Sequence, residues 1–172
     1  MTRVVVAGIG NTLRHDDGVG PAVAERVAGY LAGGPGLAGG PGLQACHAGP
    51  FAEPLDLLGW WDGADLAIVV DAACSGQRPG TVSVTWVEDI ARGPAPPSTH
   101  GLSLPDVYHL ALALGQGPAR LAVVGIEGED FSHGEGFSPA VQAAFEEAVA
   151  VTLEVAAHTR PHGQAEPLAS GP

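Results

Sequence analysis

The chain has 172 residues, the length of one domain, and its 45% hydrophobic and 15% charged residues are enough to build a core. Seven basic side chains, all arginine, against nineteen acidic ones give a net charge of −12. That balance repels phosphate backbones and anionic lipid, so nucleic acid and membrane surfaces are excluded as expected partners. Cys46 and Cys74 are too few for a disulfide scaffold and are read as small buried residues. No signal-peptide pattern follows Met1 and no apolar run reaches membrane-spanning length, so a soluble, cytoplasmic protein is expected.

Val4-Val5-Val6-Ala7 is a continuous apolar run ended by Gly8, the pattern of a strand buried on both faces. A helix is predicted over 19–32, with Val19, Val23, Val27 and Tyr30 or Leu31 on one face and Pro21 tolerated in the first turn. Residues 33–43 read GGPGLAGGPGL, a hexapeptide written twice, and predict a flexible surface loop. A second strand is predicted over 43–48, then a short helix over 53–61 that buries Leu55, Leu58 and Trp60 or Trp61. Residues 66–70 form the clearest buried strand and run straight into Asp71. Over 81–87, Val82, Val84 and Trp86 alternate with polar or small residues, as in a half-exposed strand near a sheet edge.

A proline-rich loop over 93–97 leads to Ser98-Thr99-His100, followed by a helix over 104–114 and a buried strand over 121–126. After a loop over 127–137, Ser138 caps a long helix with Pro139 at its first position and Val141, Phe145, Val149 and Leu153 as its buried stripe. The whole predicts a single α/β domain over 1–157, with a disordered tail over 158–172. Its architecture is three-layered: a twisted, mostly parallel sheet of about five strands with helices on both faces.

In such sheets ligands collect beyond the carboxyl ends of the strands, which singles out three places. The first is Gly8-Ile9-Gly10-Asn11-Thr12-Leu13-Arg14-His15-Asp16-Asp17-Gly18-Val19-Gly20, a glycine turn after a buried strand with two adjacent carboxylates before a helix. It departs from a dinucleotide fingerprint because Leu13 stands where the third glycine would fall. The second is Asp71, a carboxylate at the end of an apolar strand that needs partners or a cation. The third is His100. One imidazole and two carboxylates at one sheet edge would suit a divalent transition metal with open positions, with His15, His47 and His133 as rival ligands. His109 falls in a helical stretch, and His158 and His162 lie in the tail. Neither an HExxH zinc motif nor a GxSxG nucleophile elbow occurs.

The opening motif resembles that of the hydrogenase maturation proteases, endopeptidases that trim the C-terminus of the NiFe-hydrogenase large-subunit precursor. The resemblance continues through Val69-Val70-Asp71-Ala72, Ser98-Thr99-His100-Gly101-Leu102-Ser103-Leu104, Gly125-Ile126-Glu127 and Gly136-Phe137-Ser138-Pro139, spanning 3–156 in the family's order. It implies Asp17, Asp71 and His100 as metal-contacting residues that recognise nickel already loaded in the precursor; another divalent metal can stand in for nickel. Asp17 and Asp71 are then the catalytic residues, through carboxylate-activated water or metal-assisted hydrolysis, and Gly10, Asn11, His15, Asp16 and His47 are the substrate-binding ones. Alternatives are a non-catalytic nickel-binding assembly factor, or an α/β peptidase or amidohydrolase with another substrate. A monomer is expected. Where the family often has Glu, this chain has the shorter Asp17. His15 is an unusual neighbour, and Cys46-His47-Ala48-Gly49-Pro50-Phe51 replaces the expected turn after the second strand.

Overall fold

The computed structural model describes residues 2–31, 43–87 and 102–157, with the backbone alone at 43–48 and 50. The elements in chain order are β1 (Thr2–Ile9), α1 (Val19–Leu31), β2 (Leu43–Phe51), β3 (Leu66–Ala73), β4 (Val82–Trp86), α2 (Leu104–Ala113), β5 (Leu121–Glu127) and α3 (Pro139–Ala157). Five strands form one sheet in the order β2-β1-β3-β5-β4. Every pairing is parallel except that of β4 with β5 at the edge.

The continuous apolar runs are explained by cover on both faces. Val4, Val6, Leu66, Ile68, Val70, Val124 and Ile126 pack with Val19, Val23 and Val27 of α1 and Val141, Phe145 and Val149 of α3. Ala7, Ala67, Val69 and Leu121 turn the other way, onto Leu57, Trp61, Val107, Tyr108 and Ala111. Period-2 alternation thus sends successive strand residues into two separate apolar layers, and each fully buried valine or leucine contributes about 1.5–3 kcal/mol. This is the three-layer α/β architecture read from the sequence.

Caps also follow the sequence. Ser138 Oγ accepts from the Val141 N–H at 3.4 Å at the start of α3. Ser103 and Asp106 form a reciprocal capping box on α2.

Other expectations are corrected. The helix predicted over 53–61 is only a 3-10 turn at Pro54–Leu57. Pro54 can start a turn, but Gly59 adopts φ 87° and stops it before a stable helical nucleus exists. Leu57 and Trp61 are the residues buried from this segment, while Leu55 and Trp60 are exposed. β2 runs to Phe51 rather than 48, and β3 runs past Val70 to Ala73, so Asp71 lies within the strand. Leu153 is only half-buried, and Thr152 and Ala156 fill the end of the α3 stripe. Cys74 is exposed, because the sheet ends one residue before it. The predicted tail and the Gly/Pro loop, apart from Leu43, lie outside the described residues. No helix among the described residues is long and apolar enough to cross a membrane.

Candidate active site

The strand order creates one topological switch point. From β1 the chain passes through α1 on one face to reach β2, then through 54–61 on the opposite face to reach β3 on the other side of β1. The two connections lie on opposite faces of the sheet, and the crevice beside such a switch point, at the carboxyl ends of β1 and β3, is the usual ligand position in these folds. The loop after β1 carries Asp17 there, and the last turn of β3 carries Asp71, paired with Gly125 of β5.

Close approach of α1 to the strand ends shapes this crevice. Gly20 sits where any Cβ would run into the carbonyl oxygens of Val70 and Ile9, so α1 begins directly across the tips of β3 and β1. Gly10, at φ 137°, lets the chain turn sharply off β1 and lie against the Asp17 backbone. Gly20→Ala is expected to lose about 1–3 kcal/mol of stability by overpacking. Urea unfolding checks this; a wild-type midpoint would mean that α1 does not rest on the strand tips.

The two neighbouring aspartates do different things. Asp17 is partly exposed, and its Oδ2 accepts the Asn11 N–H at 2.9 Å, which fixes the carboxylate over the glycine turn. Asp16 is fully buried. Its Oδ2 accepts the N–H groups of Glu129 and Asp130 at 2.9 and 3.0 Å, and its Oδ1 accepts that of Ser138 at 2.7 Å. Burial alone would raise the Asp16 carboxyl, but these backbone donors outweigh it and hold the group below the ordinary carboxylate range. A carboxylate so enclosed positions the loop and has no surface left for substrate, unlike the contact expected for it.

Asp71 is the perturbed group of the site. Burial, and then the charge of Asp17, push its carboxyl up to about 7, against a smaller opposing pull from the Ala72 N–H. The charge of Asp17 is felt at Asp71 across the ends of β1 and β3. Repulsion between two carboxylates is what a divalent cation would relieve, and carboxylate oxygens are fitting donors for one. Among the described residues, no three of His, Cys, Asp and Glu converge on a common point. His100, the third expected ligand, lies outside the described residues, and of His47 only the backbone is described, opposite Val6 in β2.

His15 departs from expectation in a different way. It holds φ 42°, its N–H donates to Gly134 O at 2.9 Å, and its Nδ1 lies 3.2 Å from Gly136 O. The ring is thus laid against the loop after β5. Arg14 Nε donates to Phe131 O at 3.1 Å, and Gly134 N–H returns a bond to Leu13 O at 3.0 Å. Together with Asp16, these bonds stitch the loop after β1 to the loop after β5. His133 and His109 are exposed.

One residue went unassigned at the sequence level. Glu127, at the end of β5, is 4% exposed and accepts from the Ser75 N–H, the Ser75 hydroxyl and the Gly76 N–H, each at 2.8 Å. Burial opposes its charge, yet these donors hold its pKa below the usual value. It anchors the turn that follows β3 just beyond Asp71. The available signal was a carboxylate closing an apolar run, which must find donors.

Comparison with known proteins agrees with this fold. The sequence profile of the hydrogenase maturation protease family (HycI) matches residues 49–155. The hydrogenase expression/formation protein HupD of Rhodobacter capsulatus is 33% identical over 153 residues, covering 86% of this chain and 68% of that one. The hydrogenase 2 maturation protease of Escherichia coli K12 is 29% identical, with 88% of each chain covered. Among solved structures, the hydrogenase maturating endopeptidase HybD from E. coli superposes with a TM-score of 0.65 at 26% identity, over 90% of this chain and 91% of that one. The hydrogenase maturation protease HybD of Thermococcus kodakarensis shares the fold with a TM-score of 0.68 at 20% identity, over 91% and 99%. A matched profile over more than half of the chain, and a relative at 33% identity, settle the question of kinship: the chain belongs to the hydrogenase maturation protease family.

Proposed function

We propose that this protein is the endopeptidase that removes the C-terminal peptide of a nickel-loaded NiFe-hydrogenase large-subunit precursor, with the nickel carried by the substrate as the recognition element. What supports this reading is membership of the family, together with the place of Asp71 in the last residues of β3, at the switch point and under the charge of Asp17 on the loop after β1. Asp17, Asp71 and His100 offer two carboxylates and an imidazole to an incompletely coordinated ion, a donor set suited to a divalent transition metal. A precursor without metal offers this donor set no cation to bind, so it docks poorly.

The carboxylates also handle protons. Asp71, whose carboxyl is raised to about 7, is suited to hold a proton near neutral pH. Asp17 takes a proton from water as the water oxygen bonds to the scissile carbonyl carbon and the carbonyl π pair moves onto its oxygen. When that pair returns, the C–N bond breaks and the leaving nitrogen takes the Asp71 proton. The pair again holds one proton, now on Asp17, and the products are a new C-terminal carboxyl group and a free amine.

The test is cleavage of nickel-loaded precursor followed by mass spectrometry, beside nickel-free precursor. Wild type is expected to cut only the loaded form, and Asp17→Asn, Asp71→Asn and His100→Ala to lose at least about 100-fold in rate. Binding of the loaded precursor with no cut by wild type would make the protein an assembly factor instead. Neither binding nor cutting would point to another substrate.

A further inference from the structure

Peptide hydrolysis places negative charge on the carbonyl oxygen, while in the step above the two carboxylates are engaged with the water and with the leaving nitrogen. A donor has to stand beside them, held in place before the reaction begins. The structure offers a side chain so held. The Asn11 backbone N–H is tied to Asp17 Oδ2 at 2.9 Å, which seats the residue on the same carboxylate that the hydrolysis uses. Its side chain then folds over the turn, and Oδ1 accepts the Leu13 N–H at 2.9 Å.

That second bond also decides which way the amide faces. A backbone N–H can meet only the oxygen of a carboxamide, so Oδ1 is turned to Leu13 and Nδ2 is turned away from it. Asn11 is exposed, and among the described residues its NH2 group meets no acceptor. The turn that carries it has little freedom, because Leu13 O is bonded to Gly134 N–H and the Arg14 N–H to Asn11 O.

We infer that Asn11 is a further catalytic residue, whose Nδ2–H donates to the oxyanion formed on the scissile carbonyl when water adds. This rests on the endopeptidase reading above and assigns a task to a residue which that reading otherwise leaves as a general substrate contact. Asn11 exchanges no proton in the step. The hydrogen bond strengthens as charge develops on the carbonyl oxygen and weakens when the C=O bond re-forms, so its effect belongs to the rate rather than to binding.

Single-turnover cleavage and binding of nickel-loaded precursor, measured on wild type, Asn11→Asp and Asn11→Ala, test this. Asn11→Asp keeps an acceptor for the Leu13 N–H but has no donor and adds charge, while Asn11→Ala is neutral and loses the turn. A defect common to both reports the donor. The expected result is a fall of about 10²–10³ in cleavage rate for both, with precursor affinity within about threefold of wild type. Wild-type rates in either variant overturn the inference, as does a defect confined to affinity, which would make Asn11 a docking residue. Failure of wild type itself to cut would overturn the endopeptidase reading, a separate outcome seen in the same experiment. Thermal unfolding of each variant identifies any loss of rate that comes from misfolding.

Discussion

Asp71→Asn makes the protein more stable above pH 7 while removing its peptidase activity. In the native state the Asp71 carboxyl titrates near 7, raised first by burial and then by Asp17, whereas in the unfolded chain it returns to 3.8. Below about pH 4 the group is protonated in both states and makes no difference. Between the two values the native protein keeps a proton that the unfolded chain has released, so stability falls as pH rises through this window. Above 7 the native state carries the full cost of a buried charge in the field of another carboxylate, about 4 kcal/mol from this group. Asparagine cannot ionise, and its Oδ1 still accepts the Ala72 N–H. Urea unfolding at pH 5 and pH 8 should show wild type losing stability between the two, with Asp71→Asn losing much less. Equal pH responses in the two proteins would mean that Asp71 is well solvated and not coupled to Asp17. On the proposed function Asp71 is the proton donor, and the burial that suits it to that task near neutral pH is a cost to the fold.

Asp16→Ala is expected to cost about 3–5 kcal/mol and to unfasten the loop after β5. Three backbone N–H groups converge on this fully buried carboxylate, and each donor left without an acceptor costs about 1–3 kcal/mol unless water reaches it. Asp16→Asn is milder, because one oxygen remains to accept while the NH2 group meets a donor. The acid side carries a second signature. The folded-state pKa of Asp16 is lowered, so its contribution is present above the ordinary Asp value and is lost as pH falls through the lower folded value. Hydrogen exchange reads the effect directly. The amides of Glu129, Asp130 and Ser138 are expected to be protected in wild type and to exchange quickly in Asp16→Asn, while β1 and β3 amides keep their protection. Unchanged protection at those three amides would assign the anchoring of this loop to the Arg14 and His15 bonds instead.

Much of the fold was legible because a strand covered on both faces has to be apolar throughout. The runs at 4–7, 66–70 and 121–126 have no other economical explanation, and they lie in β1, β3 and β5, the centre of the sheet. The 53–61 segment was misread because apolar residues at helical spacing do not nucleate a helix between a proline and a glycine in a left-handed turn. Cys74 was placed inside because the apolar run continues past the end of the sheet, where no second layer covers it.

The sequence by itself determined the layer architecture, the glycine turn and the placing of Asp17 and Asp71 on the carboxyl side of the sheet, all consequences of local pattern. Adjacent aspartates are chemically identical, so local pattern did not separate Asp16 from Asp17, and only the family resemblance pointed to Asp17. The tertiary structure gave the physical difference between them, by bringing the N–H groups of 129, 130 and 138 onto Asp16 from more than a hundred residues away. The raised pKa of Asp71 was likewise decided by packing, since it needs β1 and β3 side by side and the loop after β1 folded over them. Periodicity is a property of neighbours along the chain; the electrostatics of a site depend on neighbours in space.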